Sequence, residues 1–175
     1  MRRAIFLMTV LAAGPALAQT QTGGEQTTGA DQVVGLFGAT CLHFAGDVAA
    51  MRAFLTQQAA PQMAARARDA FLAGRAGQVF DVSYQSTKLA LVSLNDGGCE
   101  AATEQADPKQ VVAVLGQASQ ENKITLTPLG SQPDPKARAG VVQTAYSVTL
   151  GGKPMHVLVS TAPSPPQAVL TLVPR

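Results

Sequence analysis

Up to about residue 75 the apolar positions recur at helical spacing, and after Gly77 the period drops to two. Val33, Val34, Leu36 and Phe37 form the first apolar cluster, a helix running toward Cys41 with Asp31 as its N-cap. Asp47 is a second N-cap. Val48, Met51 and Leu55 follow at i, i+3 and i+7 with Phe54 beside them, which predicts an amphipathic helix over 48–59. Pro61 suits the first position of a third helix. Met63, Ala67, Ala70 and Phe71 give that helix an apolar face, and Gly74 ends it.

Phe80, Val82 and Tyr84 alternate with Asp81 and Ser83, the mark of a half-buried strand. Leu89 to Leu94 is apolar on both faces save Ser93 and reads as a central strand. Asn95-Asp96-Gly97-Gly98 is a hairpin turn into Cys99, and the strand from Cys99 ends near Gln105. Asp107-Pro108-Lys109-Gln110 starts a helix whose buried stripe is Val111, Val114, Leu115 and Ala118. Ile124, Leu126 and Pro128 suggest a strand, and residues 130–140 a polar loop. Val142, Tyr146, Val148 and Leu150 open a further sheet section. Gly151-Gly152 turns it, Met155 to Thr161 returns, Ala162 to Pro166 loops out, and Val169 to Val173 closes the chain.

Short turns between strands imply antiparallel pairing. The expected fold is therefore α+β: one antiparallel sheet of about six or seven strands, with about four helices packed mainly on one face.

Ahead of this pattern stands MRRAIFLMTVLAAGPALA. Arg2 and Arg3 make a positive n-region, Ala4 to Gly14 is apolar apart from Thr9, and Ala16-Leu17-Ala18 is a small-x-small cleavage signal. The expectation is a secretory signal peptide over 1–18, cut between Ala18 and Gln19. Its apolar run falls short of the ~20 residues that span a bilayer. Residues 19–30 are polar and rich in Gly, Thr and Gln, which predicts a flexible tail before a single domain over 31–175. The periplasm or the exterior is the expected location.

The leader changes the reading of charge. The chain holds 13 basic and 11 acidic residues, and residues 1–18 contain two of the basic ones and no acidic one. The mature chain is then neutral, which removes the compositional hint of a nucleic-acid partner. The leader also sets the redox context. The chain's two cysteines, Cys41 and Cys99, lie outside it, and an oxidising compartment predicts a disulfide between them. Two free buried thiols, or one reactive thiol, are the rival readings.

Candidate chemistry is sparse. His43 and His156 are the two histidines, and a hydrolase triad needs one of them beside a serine and an acid. Ser93, Ser147 and Ser160 are available, but the chain has no G-x-S-x-G elbow and no S-x-x-K pair. Cys41-Leu42-His43 and Met155-His156 offer metal-ligand types. The disulfide would consume Cys41, and adjacent strand residues point to opposite faces. Arg52, Arg66, Arg68 and Arg75, with Asp47 and Asp69 as local acids, form a basic cluster that solvation of helix surfaces explains. There is no C-x-x-C, and Gly97-Gly98 and Gly151-Gly152 sit in hairpin turns, not in phosphate cradles. No catalytic, cofactor-binding or metal residue is assigned, and no cofactor is expected.

Five segments taken together carry a resemblance: Phe37-Gly-Ala-Thr-Cys41, LALVSLNDGGC ending at Cys99, AYSV around Tyr146, VLVSTAP ending at Pro163, and QAVLTLVP near the C-terminus. In that order they resemble a group of small exported proteobacterial proteins with two cysteines and no characterised function. The likeness implies bacterial origin, a periplasmic home and the Cys41–Cys99 pairing, and it brings no catalytic residues. The leading functional expectation is a non-enzymatic periplasmic binding or interaction protein, of accessory or inhibitor type. Its expected partner is an envelope protein or a small ligand, with no nucleic acid and no membrane span in the mature chain. The alternatives are a hydrolase or cell-wall enzyme using His43 or His156, and a periplasmic metal-handling protein.

Overall fold

A computed structural model describes residues 28–133, 139–163 and 166–175. The leader, the cleavage point Ala18–Gln19 and most of the expected tail lie outside the described residues.

Helix α1 spans Gly29–Phe37. Its N-cap is Thr28, not Asp31. Asp31 sits at N3 and completes a capping box, its carboxylate accepting from the Thr28 backbone N–H at 2.8 Å while its own N–H donates to Thr28 Oγ1. Thr28, Gly29 and Ala30, read as tail, thus belong to this capped helix. The reason is nonlocal: Gly29 lies against the strand that ends near Gln105, where a Cβ would meet the Gln105 carbonyl oxygen at 2.0 Å. The helix runs on into a π-helical turn, Gly38–Leu42. Thr40 Oγ1 donates to the Leu36 carbonyl at 2.6 Å within it, and Cys41 is buried.

Asp47 caps α2 (Val48–Gln57) by accepting from the Ala50 N–H at 3.0 Å. The third helix, α3, begins at Ala65 and ends at Leu72. Pro61 does not open it. Residues 61–63 instead run extended along the first strand: the Asp81 N–H donates to the Pro61 carbonyl and the Met63 N–H to the Val79 carbonyl. That pairing protects an edge of the sheet.

The strands are β1 (Gly77–Asp81), β2 (Leu89–Leu94), β3 (Cys99–Thr103), β4 (Thr127–Pro133), β5 (Val142–Leu150), β6 (Lys153–Pro163) and β7 (Pro166–Pro174); α4 (Pro108–Glu121) joins β3 to β4. They form one antiparallel sheet in the order β1-β2-β3-β7-β6-β5-β4. Two meanders thus meet along β3 and β7. The expected α+β class, strand number and helix number hold. Four strand ranges differ. β1 stops at Asp81, because Tyr84 bonds to Thr87 across a tight turn. β4 starts at Thr127 and continues through residues 130–133, read as loop, because β5 supplies it with partners. β6 runs on to Pro163 and β7 opens at Pro166, because Ala162 and Pro163, read as loop, pair with Gln167 and Pro166.

Alternation divides the sheet into two faces. The front carries Phe80, Leu91, Cys99, Ala101, Leu170, Leu172, Val157, Val159 and Val148, packed with Val33, Phe37, Met51, Leu55, Val111 and Leu115 from α1, α2 and α4. This is the main core. α3 sits on the back, where Leu72 and Phe71 cover Val79, Val92 and Leu94. It reaches only the β1–β2 end. Beyond it the back face of β7, β6, β5 and β4 has no described element over it.

Candidate binding face

The cysteines behave as expected. Cys41 and Cys99 form a disulfide with Cα atoms 5.4 Å apart, tying the π-helical turn to β3. Both are buried, and Met51 Sδ lies 3.6 Å from Cys99 Sγ. Cys41 is therefore no metal ligand.

The other candidates scatter. His43 is exposed beside α4, its ring edge-on to Phe44 with centroids 4.8 Å apart. It lines a cavity of about 450 Å³ between α1 and α4 that holds no Asp or Glu among its walls. Met155 faces the core and His156 the back. His156 pairs across strands with Ser147, so the two share the back face. No Asp or Glu stands on the described residues of β4, β5, β6 or β7, so these strands bring no acid to that pair. No group of three or more His, Cys, Asp or Glu close enough to hold a metal occurs among the described residues. Ser160 Oγ accepts from Gln143 Nε2 at 3.3 Å.

Ser93 is fully buried on the front, where its Oγ accepts from Arg52 Nε at 2.9 Å. Arg52 also donates to the Ser93 carbonyl at 2.8 Å and to Asn95 Oδ1 at 2.7 Å. Arg52 thus docks α2 onto β2. The arginines do not make one patch. Arg68 pairs with its neighbour Asp69 at 3.0 Å. Arg75 closes the end of α3 by donating to the Phe71 and Leu72 carbonyls, and it pairs with Glu100 on the back of β3. The Glu100 hydrogen bond, set against partial burial, raises the Arg75 guanidinium above its ordinary value.

What the sheet does assemble is an open surface beside α3. A groove of about 540 Å³ runs along the inner edge of the helix. Met63, Phe71, Leu89, Ala90 and Ala102 supply its apolar lining, and Asp81, Ser83, Lys88, Thr103, Glu104 and Gln167 its polar one. Ser83 holds the Asp81 carboxyl below its ordinary value, first through its hydroxyl at 2.6 Å and then through its backbone N–H at 3.1 Å. The groove gives onto the uncovered back face of β7, β6 and β5. Val169, Thr171 and Val173 stand there on β7, His156, Leu158 and Ser160 on β6, and Gln143, Ala145 and Ser147 on β5, all partly exposed. None of these residues carries a formal charge with His neutral. On the other side of the molecule Tyr146 lines a cavity of about 540 Å³ against α4, and burial pushes its phenol up from the ordinary value.

Sequence reasoning missed this surface. The signal was present in the neutral alternate positions of the last three strands, but nothing local says which face a helix will leave bare. No helix among the described residues is long and apolar enough to cross a membrane. Compared with known protein families, with curated proteins and with solved structures, the chain finds no match.

Proposed function

We propose that this chain is an exported, non-enzymatic binding module that works from the periplasm and engages its partner through the back of its sheet. The observation that carries the reading is the groove beside α3, apolar in its lining with Asp81, Lys88 and Glu104 among its polar residues, continuous with an uncharged sheet face. Binding surfaces combine a desolvated apolar centre with a polar margin in this way. The leader at 1–18 supports export, and the Cys41–Cys99 bridge suits an oxidising compartment.

The test is capture from envelope extract by the immobilised protein, with Met63→Arg and Lys88→Glu compared against wild type. Circular dichroism checks that each variant folds. A partner held by wild type and released by both variants is the expected result. Retention unchanged by either variant, or substrate turnover lost on replacing His43 or His156, would overturn the reading.

A further inference from the structure

We propose that the uncovered back face is the seat of a second copy of this chain, paired about a twofold axis. The inference rests on the binding reading above and names the partner of that same surface.

Shape is the first argument. α3 stands over the β1–β2 end of the back face and leaves the β4 end bare, so the surface is a step. Two packed sheets lie ~10 Å apart, close to the ~8–10 Å between packed helices. When two such steps face each other, each α3 lies beyond the β4 edge of the other copy. That edge carries an exposed apolar side chain. Leu129 falls where the β4–β5 register breaks between Pro128 and Gly130, and it is 55% exposed. In the paired arrangement that edge, with Leu129 on it, lies next to α3 of its mate.

Charge is the second argument. A twofold axis sets residues near their own copies, so any charge close to the axis meets its like. The back positions of β4 to β7 hold no Asp, Glu, Lys or Arg except at the strand ends. A solvated sheet face has no reason to avoid charge, and a self-pairing face does. Glu100, the nearest acid on β3, is already held by Arg75.

Area is the third argument. β5 and β7 are nine residues long and β6 is eleven. Four strands at ~4.8 Å spacing and ~31 Å length give a planar footprint of roughly 590 Å² per copy. Two copies bury about 1,200 Å² before side-chain relief adds to it, which reaches the range of stable interfaces.

The test is sedimentation equilibrium on the protein expressed with its own leader and purified, over a wide concentration range. The expected result is a monomer–dimer equilibrium that Leu158→Glu and Leu129→Asp each shift at least about tenfold toward monomer. Val112→Asp, on the outer side of α4, leaves it unchanged. Far-ultraviolet circular dichroism confirms that each variant folds. A monomer at every concentration, or a dimer indifferent to both face substitutions, overturns the proposal. A monomer whose capture of an envelope partner is lost in Met63→Arg overturns the dimer and leaves the binding reading standing. A dimer broken by both substitutions, with nothing retained from extract, upholds the proposal and makes the second copy the partner of that face.

Discussion

At the scale of single residues, three side-chain positions do more than their neighbours suggest. Gly29 has no Cβ, and that absence lets the first turn of α1 lie against the Gln105 backbone. Gly29→Ala should cost ~2 kcal/mol or more, because backbone on both sides must move apart. A lowered urea midpoint with an unchanged slope would show it. Arg52 holds α2 to β2 by three hydrogen bonds, two of them to the buried Ser93. Arg52→Ala should cost about 2–3 kcal/mol, read by thermal unfolding, since Ser93 is left short of partners in a dry place. Asp81 provides a pH signature. Its folded-state value is lowered, so its small contribution to stability is present above the ordinary carboxylate range and is lost as pH falls through the lowered value. Ser83→Ala should move that carboxyl back up, as read by carbon-detected NMR titration.

Elements were legible in the sequence wherever their cause is local. The Asp107-Pro108 start of α4 and the Asn95–Gly98 turn each satisfy their own backbone groups within a few residues. The opening of α3 was not legible, because residues 61–63 are drawn off by hydrogen bonds to β1 from about twenty positions later in the chain. Nor was the π-helical turn, whose widened ring accompanies the burial of Cys41 against β3. The same logic hid the uncovered back face: alternation tells inside from outside, but α3 decides which outside stays open. The bridge from that turn to β3 closes a sequence separation of 58. Replacing both cysteines with alanine should cost ~4 kcal/mol on the chain-entropy account. Chemical unfolding of the double variant measures it, and the largest loss of hydrogen-exchange protection should fall on α1 and β3.

For the whole molecule, two meanders share one layer of helices, and the seam runs where β3 meets β7 and α1 meets α4. Neither half closes the main core alone, since Ala101 on β3 packs with Leu170 and Leu172 on β7. Unfolding should therefore be a single transition, with tyrosine fluorescence and circular dichroism giving the same midpoint. The bridge has a further consequence for biogenesis. With two cysteines in the chain, the intramolecular pairing has one solution. Oxidative maturation then needs an electron acceptor but no isomerase. A reduced, unfolded sample exposed to oxidised glutathione should return to one product without passing through scrambled isomers.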